Sequence, residues 1–398
     1  MPVAGLIAVV AIVGVAFVWL GDSDDDPQEA AGDWPPTDPT HQRSIRIDQP
    51  VERPIDVRTT GGADELYVAT PNGDETVVRR FDDGEESWEA AVDGEVWTIT
   101  TEGDLLLVTA DIGVTDGTEI TMLDTDGELL WSHRDENVAY GDLHEGRTFA
   151  ISSGAVVIEL DSRAGDELDR LAVSAARFDP LEGIVADVSD GEVQRYDLDF
   201  EPVGRPIPIE ESGVEFTPYV YRVADGVVQY VTGDRLVEVG LDGREHFRCS
   251  ISVADASSIG QDSEGLIAVR SYEAMSIVEP DGDGCHELWS AEGSFSYMVA
   301  GDHVVNQQLD PDTYEVIASE LVEVRSGDTV LERDGEIGLV GDAMLVADDG
   351  ELRRETVPNG RVEWSIDTAE DARWVRLDDA IGIIALDGEM ITIDLYAD

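Results

Sequence analysis

Residues 122–131 read MLDTDGELLW. Asp124 and the turn glycine Gly127 are followed, four residues after the glycine, by Trp131. An Asp-Gly pair between runs of Leu, Met and Trp has the chemistry of a tight reversal between antiparallel strands, because glycine reaches the positive φ such turns use. The arrangement recurs at Gly84 with Trp88, Gly243 with Phe247, Gly327 with Leu331 and Gly360 with Trp364. Imperfect copies fall near Gly165, Glu201 and Gly284, giving a pitch of 33 to 43 residues. Around the quoted stretch, one period divides into four short strands at 96–100, 105–110, 117–124 and 127–133. From Arg43 to the end no window keeps a 3.6-residue apolar period, so strands rather than helices are expected throughout. A lone four-stranded sheet leaves a face uncovered. Sheets repeating at this pitch must therefore stack face to face around an axis and close into a ring.

The stretch Met122 to Trp131 resembles the tryptophan-docking repeat of PQQ-like, quinoprotein-type β-propellers. Asp124, Gly127 and Trp131 match its aspartate, turn glycine and tryptophan, with one residue fewer between the first two; Gly84 and Gly360 also keep their tryptophans. The resemblance implies an all-β propeller of four-stranded blades over residues 43–398. It also implies interblade packing by Trp88, Trp131, Phe247, Leu331 and Trp364. The last unit supplies three strands, at 372–377, 381–386 and 389–396, and the N-terminal SIRID, Ser44 to Asp48, has the alternation to complete it and close the ring. Counting units this way gives nine, one more than the eight that the resemblance implies. The segment between 175 and 210 is the weakest unit, so eight blades are expected, within a range of seven to nine.

Of 398 residues, 88 are acidic and 25 are arginine, with no lysine, for a formal net charge of -63. Phosphate neutralisation needs a basic patch, so nucleic acid is excluded as a partner. With 42% hydrophobic residues the chain still has material for a large core. So many like charges repel one another unless counterions screen them, at a Debye length of about 3 Å near 1 M salt. The composition resembles that of a salt-adapted, halophilic surface; GC-rich codon usage, which favours Arg over Lys, is the alternative, but it does not by itself produce 88 acids against 25 bases.

Val3 to Leu20, VAGLIAVVAIVGVAFVWL, is 18 residues without a charge, or ~27 Å as a helix. Trp19 sits where an interfacial aromatic belongs and acids follow from Asp22. Residues 1–21 are expected to be an uncleaved transmembrane signal anchor, with a cleaved signal peptide as the rival because Gly14-Val15-Ala16 is a small-x-small site. Residues 22–42, with Pro27, Pro35, Pro36 and Pro39 among acids, have the composition of a linker. This places the propeller outside the cytoplasm.

Cys249 and Cys285 lie 36 residues apart, close to one blade period. A disulfide between neighbouring outer strands, two free thiols, or a zinc site with the flanking His246 and His286 are the alternatives; on a strand each Cys and its His point to opposite faces, against zinc. Glu279, Asp281, Asp283 and Gly284 imitate the start of a calcium loop, but Ser290 stands where a bidentate Glu is needed. No Ser-His-Asp spacing, nucleophile elbow or phosphate loop is present. Quinone-dependent dehydrogenases of the resembled family hold their cofactor against a disulfide of adjacent cysteines, a pair this sequence lacks. The expected function is a non-catalytic protein-binding or scaffolding module in the cell envelope, using no cofactor. A quinone-dependent dehydrogenase and a sensor with a ligand in the central channel are the alternatives.

Overall fold

The computed structural model describes residues 36–397 except 50, 52, 113–116, 136–137, 153–155, 173–175, 180–182, 190–191, 209–220, 225–226, 241, 254–257, 262–264, 272–273, 283, 293–295, 301, 310–315, 334–335, 341–342, 349, 358, 370–371 and 388–389. Apart from one turn of 3-10 helix at Pro54–Asp56, regular structure among these residues is β-strand. The expected signal anchor and most of the linker lie outside them. No helix among the described residues is long and apolar enough to cross a membrane.

The strands form nine four-stranded antiparallel sheets among the described residues. Eight are consecutive meanders, and we number these blades 1 to 8 in chain order. Blade 1 is Arg58–Gly61, Glu65–Asn72, Glu75–Asp82 and Glu85–Asp93; blade 2 is Glu95–Glu102, Leu105–Asp111, Thr118–Asp124 and Leu129–Asp135. Blade 9 is composite. Arg373–Arg376, Ile381–Asp387 and Met390–Ala397 are joined by Thr40–Asp48, which pairs antiparallel with the last strand through Ile45 opposite Ile393 and Ile47 opposite Ile391.

Nine sheets correct the expected eight. The unit set aside, between 175 and 210, is a complete blade 4: Ala176–Asp179, Gly183–Ser189, Glu192–Tyr196 and Pro202–Pro208. Its signal is weak in sequence because the turn before its outer strand places Phe200 at φ 59, where other blades put glycine. A phenylalanine in the left-handed region leaves no Asp-Gly signature to read.

Period-2 side-chain alternation explains why the strands are apolar on both faces. In Leu105–Asp111, Leu106, Val108 and Ala110 pack with Tyr67, Val78 and Trp88 of blade 1. Leu105 and Leu107 pack the other way, with Val138, Ala150 and Ile158 of blade 3. Each blade thus fills two interfaces, which removes the need for a polar face. Consecutive blades share an apolar cluster at every step of the chain, through blade 8 against blade 9 around Leu345, Trp374 and Ile383. The last cluster joins Ile45, Ile384 and Ile393 of blade 9 to Leu66, Val68 and Phe81 of blade 1, and so closes the ring.

Because each sheet is a meander, its first and third turns lie at one rim. The second turn and the connection to the next blade lie at the other. We call these the docking rim and the crossover rim.

Candidate interaction surfaces

The docking rim is built from tryptophans that reach into the following blade. The indole Nε1 of Trp88, in blade 1, donates to the Thr125 carbonyl of blade 2 at 2.8 Å. Its ring covers Gly127, where a Cβ would fall 2.5 Å from the indole and where φ is +81°. Both the turn and the close approach require glycine at that position. Trp131 repeats the contact one blade on, donating to the Ser162 carbonyl at 3.0 Å and lying over Gly165. The four-residue spacing therefore serves two interfaces: Gly127 receives Trp88, while Trp131 moves on to blade 3.

Leu331 of blade 7 lies 3.3 Å from the Cβ position of Gly360 in blade 8. Phe247 is buried between blades 5 and 6 beside Ile259 and Val278. Trp364, in blade 8, donates to the Pro36 carbonyl at 2.9 Å, a contact with the segment that leads into the closing strand. The sequence reading missed Trp289, which approaches Gly327 of blade 7; it stands five residues after Gly284 rather than four.

The reading also missed the arginines. Arg80 stands opposite Trp88 on the neighbouring strand and donates to the same Thr125 carbonyl at 2.5 Å. Arg354 stands opposite Trp364 and donates to the same Pro36 carbonyl at 3.4 Å. In the composite blade Arg43 takes the docking position: its Cδ is 3.2 Å from the Cβ position of Gly84, and its guanidinium pairs with Asp64 and Asp83 of blade 1. Arg147 of blade 3 donates to the Leu198 carbonyl of blade 4, Arg163 of blade 3 pairs with Asp104 of blade 2, and Arg325 of blade 7 pairs with Glu279 of blade 6. In a chain with so few cations, many of them tie one blade to the next.

The calcium-like stretch is occupied by this network. Glu279 accepts two bonds from Arg325, at 3.0 and 2.6 Å, and that guanidinium holds its carboxyl below the usual range. Asp281 faces His286 at 3.1 Å, Gly284 opens the outer strand of blade 6, and Asp283 lies outside the described residues. No group of three or more metal-ligating side chains occurs among the described residues.

Cys249 and Cys285 are joined in a disulfide, with Cα atoms 5.4 Å apart, between the outer strands of blades 5 and 6. Beside it, Glu287 of blade 6 accepts from the Ser252 N–H and hydroxyl at 2.5 and 2.6 Å. His246 faces Glu238 at 3.1 Å. The two histidines thus meet carboxylates and the two sulfurs meet each other.

Polar side chains of the inner strands are engaged across blades as well. Arg58 of blade 1 donates to the Trp97 carbonyl of blade 2 at 3.0 Å. Burial, together with the nearby Arg373, pulls its guanidinium below its ordinary range. Gln307 of blade 7 donates to the Ile337 carbonyl of blade 8 at 3.1 Å. What this arrangement does chemically is hold a rigid ring whose rims carry loops, the usual position for recognition on a fixed scaffold.

Residues 47–195 match the family model described as outer membrane protein assembly factor BamB, which is less than half of the chain. No protein of curated function matches by sequence. Among solved structures the chain is similar to BamB from Moraxella catarrhalis, at 14% identity and a TM-score of 0.49, covering 91% of this chain and 100% of that one. It is similar to the computationally designed Ika8 protein, at 14% identity and 0.48, over 76% and 96%. It is similar also to apo AztD from Citrobacter koseri, at 12% identity and 0.45, over 77% and 95%. Over residues 47–195, which span blades 1 to 3 and most of blade 4, the chain carries PQQ-like propeller repeats of the kind that this family model describes.

Proposed function

We propose that this protein is a membrane-anchored, extracytoplasmic β-propeller that binds or scaffolds another protein of the cell envelope, without catalysis and without a cofactor. The observation that carries the reading is the match of residues 47–195 to the family model of an assembly factor. The closed ring supports it: the aromatic and arginine side chains that would otherwise suggest a site are used in holding blade to blade, which leaves the rim loops for recognition. Residues 3–20 supply the anchor in this reading, and the acidic surface is an adaptation to salt. A melting temperature that does not change between dilute buffer and molar salt would contradict the salt adaptation.

The binding role is tested by crosslinking in native membranes at high salt, followed by mass spectrometry. Carboxylate-directed reagents are required, because a lysine-free chain offers amine reagents only its terminus. One reproducible envelope protein, linked to loops of a single rim, is the expected result. Links confined to the propeller itself would remove the scaffold reading.

A further inference from the structure

The closing strand carries a polar cluster where it enters the ring. Its pairing with the last strand shifts register between His41 and Arg43, which makes Gln42 the extra residue of a bulge. Without the bulge, His41 and Ser44, three positions apart, would point to opposite faces. With it they stand opposite Tyr396 and Asp394, which lie two residues apart and so share one face. His41 Nε2 is 3.0 Å from the Ser44 hydroxyl and 3.5 Å from Asp394 Oδ1. Its ring packs edge-on against Tyr396, with centroids 5.4 Å apart.

Ser44 has one hydroxyl hydrogen and donates it to Asp394. In its contact with Ser44 the histidine must then be the donor, which puts a hydrogen on Nε2. The other ring nitrogen, Nδ1, has no partner among the described residues, and the side chain is 48% exposed. Nδ1 is therefore the atom that takes a proton from water, and taking it sets a positive charge beside Asp394. We propose that His41 is a pH-sensitive latch on the closing strand. Charged, it ties the entry end of Thr40–Asp48 to Asp394; neutral, it keeps only the hydrogen bond to Ser44.

The other charged groups around it do not take over this role. Burial, Asp394 and Asp367 of blade 8 push the Tyr396 hydroxyl up, so it stays neutral near pH 7. Arg43 is turned to Asp64 and Asp83 of blade 1, and Arg46 and Asp48 lie further along the closing strand. By linkage, a strand held best with the imidazole charged is closed most firmly in mild acid and loosens as pH rises past neutrality. The end that loosens is the one from which Arg43 docks on blade 1, so the latch acts on the seam that closes the ring.

The test is hydrogen exchange on the full chain at constant molar salt, at about pH 5.5 and about pH 8, on either side of the range in which histidine changes charge. Rates are taken relative to the intrinsic rate at each pH, and Ile381–Asp387 of the same blade serves as the internal reference. For a half-exposed ion pair, protection of Thr40–Asp48 relative to that reference is expected to fall by up to about five-fold from the lower pH to the higher. H41Q, which keeps a donor for Ser44 but cannot be charged, should show no such fall, and neither should D394N, which removes the opposing charge. An unchanged ratio in the wild-type chain, or a fall in H41Q as large as in the wild type, overturns the latch. Should H41Q leave the strand unprotected at both values, D394N decides: a retained fall overturns the proposal and its loss supports it.

Discussion

Replacing Trp131 with alanine is expected to lower the unfolding free energy by about 3–5 kcal/mol, the range for deleting a large buried aromatic. The indole is 8% exposed and packs with Leu107, Met122, Val138 and Ile158 across the blade 2 and blade 3 interface. Alanine opens a cavity there that rigid strands on both sides cannot fill. It also takes away the donor that satisfies the Ser162 carbonyl at 3.0 Å. W131F, which keeps most of the volume and loses the hydrogen bond, should cost about 1 kcal/mol beyond its small volume change. The control is L129A, on the same strand but 59% exposed, for which a change within about 0.5 kcal/mol is expected. Denaturant unfolding in molar salt measures all three. A tryptophan-to-alanine cost no larger than that of L129A would mean that docking does not hold the blades together.

The second large effect concerns the disulfide. Cys249 and Cys285 close a loop of 36 residues, and the chain-entropy estimate for that length is about 4 kcal/mol through restriction of the denatured state. The double variant C249S/C285S removes the bond without leaving an unpaired thiol. The unfolding midpoint of the oxidised protein should fall to that of the variant when reductant is added, while the variant itself is insensitive to reductant. Opening should begin at blades 5 and 6. Their shared cluster around Phe247, Ile259 and Val278 contains Cys249 and packs against Cys285. Equal stability of the variant and the oxidised protein would show that the bond contributes nothing.

Much of this architecture was legible because turn chemistry and alternation are local. The Asp-Gly turns and the runs of apolar residues, as in Leu105–Asp111, place strands directly, and the surplus alternation of Ser44 to Asp48 identified the closing strand. Blade 4 was harder to read. Its outer turn uses Phe200 at positive φ, and no dipeptide signals a turn made in that way. The docking tryptophans stood out by spacing, yet spacing cannot say that the glycine and the tryptophan of one repeat belong to different interfaces. Arg80 and Arg354 gave no signal, because their partners are backbone carbonyls 45 and 318 positions away. Sequence also left the cysteines with three fates, since whether strands bring two sulfurs together depends on how neighbouring outer strands cross.

Function was less legible than fold for a physical reason. A propeller spends its distinctive residues on closing the ring, so the repeat that reveals the architecture says little about the ligand. What distinguishes one propeller from another is carried by rim loops without periodicity.

The account depends most on the ring being closed by the chain's own N-terminal strand, which fixes the blade count. Hydrogen exchange on the full chain in molar salt tests this directly. The amides of Thr40–Asp48 that bond to Met390–Ala397 should exchange as slowly as those between Ile381–Asp387 and Met390–Ala397. Rapid exchange in Thr40–Asp48, with Ile381–Asp387 still protected, would contradict closure.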